Sequence, residues 1–325
     1  MPNSITKNTQ SADVIQKMIS RAFGVDKAFG VIELTEGYFN VAYLIRLWDG
    51  RECILKIAPS KNTVVMAYEQ NIMFSEVDSM KMISEIGTVP IAKILYYDNS
   101  HELCDCDYFF MEKLEGKSFN TIAKDLTEEE KERINYQLGT YNAALNNIVG
   151  LKFGYYGLPD KQGDNWYEVF KSMIEDCMHD ADALNIDIQV DFNHIFQLLE
   201  KDKEIFHEVT TPRFVHWDLW AGNVFVKENK ITGLIDFERC MWADELLEVG
   251  FRTYGYDKNF FRGYGIEELS DNQKIRAMWY DIYLFLITSM EGIYRNYDTN
   301  DAYQWGTMML KDWIKKLEER KKVLT

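Results

Sequence analysis

Basic charge, cysteine and long apolar runs are all scarce in this chain of 325 residues. Lys and Arg number 36 against 52 Asp and Glu, a net charge of -16 at pH 7. Affinity for nucleic acid depends on neutralising phosphates with cations, and attraction to anionic membranes needs the same charge. Neither partner is expected. The acidic excess serves solubility and leaves room for a cationic ligand. No apolar stretch approaches the roughly 18 residues of a membrane helix. The first twenty residues lack the apolar centre of a signal peptide, so a cytoplasmic location is expected. Five cysteines, at 53, 104, 106, 177 and 240, are an odd set that reads as reduced thiols. His101, Cys104 and Cys106 are three soft ligands where a structural zinc site uses four, so a hairpin loop is expected there instead. No repeat and no low-complexity linker interrupts the chain.

What is present is ordinary for a globular protein: 46% hydrophobic residues, of which the aromatics alone make up 14% of the chain. The length suits about two domains. Residues 31–35, 41–48 and 52–58 are rich in β-branched and aromatic residues and predict strands. Asp49-Gly50 between the last two predicts a type I′ hairpin turn. Apolar spacing of three and four predicts one helix over 64–86, followed by strands at 91–97 and 108–111. Beyond Leu114-Glu115-Gly116 the pattern turns helical, which places the domain boundary between 111 and 112. Thr127 with Glu130 forms a capping box. Helices are expected to about 147, over 165–184 and 191–208, from the Ser270 cap to about 296, and over 303–322. A short β section lies at 214–226 and 231–237.

The chemistry concentrates in that β section. Phe214-Val215-His216-Trp217-Asp218 is followed by Asn223, and thirteen residues later by Asp236 within Ile235-Asp236-Phe237-Glu238. Two short strands joined near 228–230 bring Asp218, Asn223 and Asp236 to one rim. Two carboxylates and an amide oxygen suit a Mg²⁺–nucleotide site, since Mg²⁺ prefers hard oxygen ligands. Phosphoryl transfer also requires a base for the acceptor hydroxyl.

In these residues the chain resembles the aminoglycoside phosphotransferase and choline kinase-like family of small-molecule kinases, over about residues 30 to 300. The resemblance implies a bilobal, protein kinase-like α+β fold: a small N-lobe of antiparallel sheet over 1–111 and a mainly helical C-lobe over 112–325. It implies ATP- or GTP-dependent transfer of the γ-phosphoryl group to a hydroxyl of a small molecule, with Mg²⁺. Asp218 resembles the catalytic base, Asn223 and Asp236 the metal ligands, and His216 the structural histidine of the catalytic loop. Trp217 stands where the family mostly has Gly.

Lys56 in Leu55-Lys56-Ile57 resembles the phosphate-binding lysine. Its helix partner is Glu69 or Glu76; the resemblance implies a Val-Pro segment a set distance beyond that glutamate, and Val89-Pro90 then favours Glu76. The turn over Gly37, Tyr38, Phe39 and Asn40 would cover the phosphates. Met111, Glu112 and Leu114 resemble the hinge against the base. Only eight residues separate Asp236 from Asp244, too few for the activation loop of a protein kinase, so a small acceptor is expected. The stretch 160–182 carries seven acidic and two basic residues. With Trp166, Tyr167 and Phe170 it could hold an ammonium group. Trp166, Trp217, Glu238 and Trp242 are the acceptor candidates, with Glu291 and Asp298 as further carboxylates. Two other readings stay open: a nucleotide-binding pseudoenzyme, and a non-nucleotide binding protein for a cationic metabolite. The sequence chooses neither the acceptor, nor ATP against GTP, nor an oligomeric state.

Overall fold

The computed structural model describes residues 4–24, 28–35, 37 and 39–323; Tyr38 of the expected phosphate turn lies outside the described residues. The fold is bilobal and kinase-like. The first lobe contains α1 (Ala12–Phe23), β1 (Ala28–Leu34), β2 (Val41–Leu47), β3 (Glu52–Ile57), α2 (Ile72–Ile86), β4 (Ile94–Asp98) and β5 (Tyr108–Glu112). The five strands form one antiparallel sheet in the order β1-β2-β3-β5-β4. Alternation sends Val41, Tyr43 and Ile45 to one face, where they meet Ile15, Met18 and Ile19 of α1. The other face carries Phe109 and Met111 against Met73, Val77 and Met80 of α2.

The second lobe follows with β6 (Lys117–Ser118), α3 (Phe119–Ile122), α4 (Glu128–Asn146), β7 (Gly154–Tyr155), α5 (Trp166–Ala183), α6 (Phe192–Lys201) and α7 (Lys203–Phe206). Next come β8 (Arg213–Val215), β9 (Val224–Lys227), β10 (Lys230–Leu234), β11 (Met241–Ala243), α8 (Lys258–Tyr264), α9 (Asp271–Tyr294) and α10 (Asp301–Val323). The capping boxes form as the sequence requires. The Glu130 amide donates to Thr127 Oγ1 at 3.3 Å while the Thr127 amide donates to Glu130 at 2.8 Å, and Ser270 and Gln273 do the same. The lobes are stitched where the Leu234 amide donates to the Pro90 carbonyl at 2.9 Å.

Four local expectations are corrected. Sequence periodicity predicts a helix from 64, but α2 starts at Ile72, because Asn71 takes a left-handed φ of 58°. Tyr68 and Glu69 ahead of it are drawn into buried polar contacts. The helix expected over 191–208 breaks at Asp202, whose carboxylate accepts from the Trp279 indole at 3.0 Å. At Asp49-Gly50 the positive φ falls on Gly50 alone, 84°. The Gly50 amide closes a turn onto Leu47 at 3.0 Å, so the loop is a three-residue type I turn with a left-handed glycine. Finally α1, which the sequence patterning leaves unassigned, covers the outer sheet face, capped where Ser11 accepts from the Val14 amide.

Candidate active site

The site lies where β3, α2 and the β8–β10 segment meet. Lys56 sits on β3, opposite Phe109 of β5 and Ala42 of β2. Its ammonium donates to Glu76 of α2 at 2.6 Å and to Asp236 at 2.5 Å. Of the two candidate partners, the helix carries Glu76 to Lys56. Glu69, before the helix, turns instead to Arg295 at 2.5 Å. Lys56 and Glu76 are buried, whereas the Asp236 side chain keeps 31% exposure and so faces the cleft.

Asp236 follows β10 in a left-handed conformation, φ 69° and ψ 50°. That kink frees its carboxylate from the strand direction and turns it to Lys56. The preceding Ile235 amide is held by the Asn223 carbonyl at 3.1 Å. Five residues before Asn223 lies Asp218, and the Asn223 side-chain amide donates to the Asp218 carbonyl at 2.8 Å and to its carboxylate at 3.3 Å. Both bonds use Nδ2, which leaves Oδ1 as an acceptor. Burial pushes the Asp218 carboxyl up to about 6; Arg239 opposes this, while Asp236 and Glu291 add to it.

His216 is fully buried and braces the loop. Its Nε2 faces the Ile235 carbonyl at 3.0 Å, and its Nδ1 accepts from the Asp218 amide at 3.3 Å. Those two partners specify the neutral tautomer with the proton on Nε2, and burial lowers the imidazole's pKa in keeping with it. Glu248 carries no signal in the sequence. Fully buried, it accepts from the amides of His216 at 2.7 Å and Trp217 at 3.2 Å. It thereby holds Trp217 at a left-handed φ of 64°.

Three carboxylates, Glu76, Asp236 and Glu238, bring oxygens within 4.8 Å of one another, the one such group among the described residues. Burial and the charge of Asp236 raise the pKa of Glu238. Glu238 accepts from Asn40 Nδ2 at 2.7 Å, which ties the loop between β1 and β2 to the site. Asn40 Oδ1 is buried without a partner. Phe39 lies beneath the Arg295 guanidinium, 4.9 Å from its ring centre. Gly37 lies on the same loop. Met111 is buried between Ile54 and Ile94; the Glu112 amide donates to the Lys93 carbonyl at 2.9 Å. Leu114 packs on Gly233, where an added Cβ would lie 2.5 Å from its methyl.

The acceptor candidates fare unevenly. Trp166 is 1% exposed, its indole donating to Tyr280 at 2.8 Å, so it belongs to the core and offers no face to a ligand. Trp217 is likewise buried, stacked on Tyr283 and edge-on to Tyr68. Trp242 stacks on Tyr156. The carboxylates of 160–182 are largely engaged: Asp176 with Lys161 at 2.6 Å, and Asp180 with the Ala67 amide at 2.9 Å. Glu291 accepts from Arg239 at 2.6 Å and from Tyr68 at 2.5 Å. His101 bonds Asp107 at 2.6 Å, and Cys104 and Cys106 touch each other at 3.5 Å, so the three form no common ligand set.

A five-stranded lobe with a lysine–glutamate pair, set on a helical lobe with a kinked aspartate, defines the kinase-like phosphotransferases as a class. The model of the phosphotransferase enzyme family matches residues 30–275, and the chain belongs to that family. It is a small-molecule kinase. The aminoglycoside 3'-phosphotransferase of Niallia circulans is 25% identical over 249 residues, 72% of this chain and 84% of that protein. A thermostable mutant of aminoglycoside phosphotransferase APH(4)-Ia, in ternary complex with ADP and hygromycin B, superposes with a TM-score of 0.64 at 17% identity, over 93% of this chain and 98% of that one. The gentamicin complex of APH(2")-IIa gives 0.63 at 17% identity, over 93% and 96%.

Proposed function

We propose that the protein transfers the γ-phosphoryl group of ATP or GTP to a hydroxyl of a small molecule, with Asp218 as the base. The observation that carries this reading is the bridge from Lys56 to both Glu76 and Asp236, set beside an Asp218 that Asn223 orients. Lys56, positioned by Glu76, binds the α- and β-phosphates. The loop that carries Gly37, Phe39 and Asn40 covers them. The backbone of Glu112 and Leu114 pairs with the edge of the base, beside Met111. Residues 1–111 then act as the nucleotide-covering lobe and 112–325 as the catalytic lobe.

The donor set fits Mg²⁺. Asn223 keeps a free Oδ1, Asp236 keeps its second oxygen, and three carboxylates crowd about the one ammonium of Lys56. When bound, the metal neutralises phosphate charge during transfer. Asp218 orients the acceptor hydroxyl and takes its proton. His216 and Glu248 keep that loop in place.

The acceptor is an amine-bearing alcohol. The aminoglycoside 3'-phosphotransferase among the relatives supports this class; within the acidic stretch 160–182, Asp176 and Asp180 are taken up by Lys161 and the Ala67 amide. Glu238 and Trp242 stay the acceptor candidates of this chain. The test is coupled ADP release across aminoglycosides, amino alcohols and neutral hydroxyl compounds, with ATP and GTP each supplied. Turnover with one acceptor, lost in Asp218→Ala, is the expected result. Silence across the panel with Mg-ATP still raising Tm favours the pseudoenzyme reading. Silence without that protection favours a non-nucleotide binding protein.

A further inference from the structure

The segment 4–10 lies outside the stretch that the family model matches. It runs as a strap from the end of α9 to the end of β3, past the loop between β1 and β2. At one end the Ile5 amide donates to the Arg295 carbonyl at 3.2 Å, and Thr6 is buried. At the other, Asn8 donates to the Ala58 carbonyl at 3.2 Å and to Cys106 Sγ at 3.0 Å. Between these anchors the Lys7 ammonium reaches the loop between β1 and β2. It donates to the Asn40 carbonyl at 2.8 Å and lies 3.7 Å from the place of a Cβ on Gly37.

Lys7 is half-buried, and among the described residues no carboxylate lies within ion-pair distance of it. Burial lowers its pKa, and Glu33, Glu238 and Asp236 pull the other way, so the ammonium senses the same cleft as Lys56. A cation withdrawn from water with a neutral carbonyl as its partner has unspent capacity for an anion. The loop beneath it carries one glycine, and side chains at its other positions limit how closely its backbone amides approach a phosphate.

Resting on the phosphotransferase reading of the cleft, we propose that Lys7 is a second phosphate-binding cation. Delivered by the strap, it contacts the nucleotide's phosphates from the side opposite Lys56. The alternative is a strut that only ties the strap to the loop.

Calorimetric titration of the full chain with Mg-ADP, Mg-AMP-PNP and adenosine separates the two. Lys7→Met keeps the length of the side chain and removes the charge. It is expected to weaken both Mg-nucleotides about tenfold, the scale of one charge-assisted hydrogen bond, and to leave adenosine unchanged. Lys7→Arg is expected to stay within about threefold of the unaltered chain. The Tm of each variant without ligand reports whether it is folded. Unchanged Mg-nucleotide affinity in Lys7→Met overturns the proposal. So does an equal loss for adenosine, or an arginine variant as weak as the methionine one. If the unaltered chain binds no Mg-nucleotide, the reading of the cleft falls, and this proposal with it; a loss confined to Lys7→Met leaves that reading standing.

Discussion

Two buried polar clusters flank Asp218, and they are finished differently. On the nucleotide side, Glu76, Asp236 and Glu238 crowd around the single ammonium of Lys56. The carboxylates outnumber the cation, burial pushes the carboxyls of Glu76 and Glu238 up, and Asn40 Oδ1 beside them has no partner. On the far side, Glu69, Glu291 and Tyr68 meet Arg239 and Arg295. Here two carboxylates face two guanidiniums; against the cost of burial, Arg239 and Arg295 hold the Glu291 carboxyl down at about 2. One buried nitrogen, Arg239 Nε, is left over. A cluster that serves a ligand keeps charge unmet until the ligand arrives, whereas one that joins elements of the fold is balanced within itself.

The largest effect should come from the group between them. Asp218→Ala is expected to lower kcat by roughly 10²–10⁴-fold in coupled ADP release while Mg-nucleotide affinity stays near that of the unaltered chain. Retained turnover removes Asp218 from the mechanism.

The balanced cluster is broken by Arg295→Ala, which strands Glu69 at 1% side-chain exposure. Urea unfolding should show a loss of about 3–5 kcal/mol. Pairing Arg295→Met with Glu69→Gln should recover part of it, since no buried charge is then left alone. A loss below about 1 kcal/mol for the single variant would mean that the pair is hydrated and that the two clusters do not differ in this way.

A pH profile sharpens the same contrast. Asp218 acts as a base in its ionised form, and its pKa stands near 6 rather than the usual carboxylate range. Its kcat/KM is therefore expected to be level above about pH 7 and to fall tenfold per unit below about pH 6. A limb near pH 4 would mean that burial does not govern this carboxylate.

The smallest effect tests the core. Trp166→Phe removes one buried hydrogen bond to Tyr280 and should cost about 1–2 kcal/mol in unfolding. KM for the acceptor should not move. A rise in KM without a loss of stability would return Trp166 to the acceptor site.

What was legible follows from sequence distance. His216 to Asp236 is one local run, so a single strand–turn–strand brings its side chains together, and spacing alone reveals it. Glu76 is preferred over Glu69 by the family's spacing from this glutamate to the Val89-Pro90 segment, a distance measured along one helix and its exit. Glu248, thirty-two residues from His216, carries no local signal, because its neighbours Leu247 and Val249 read as an ordinary apolar turn. Trp166 failed for the opposite reason: aromatics beside carboxylates look the same from the sequence whether they line a cleft or fill a core.

The sequence by itself determined the caps of α4 and α9, the β2–β3 hairpin that carries Lys56, and the order of groups from Asp218 to Asp236, because each rests on one local run of chain. Only the tertiary structure decided that Glu69 belongs to Arg295, 226 residues away, and that Lys7 lies on the loop above the carboxylates. Such pairings depend on how two lobes and a terminal strap pack together, and burial, which gives them their strength, exists only once that packing is complete.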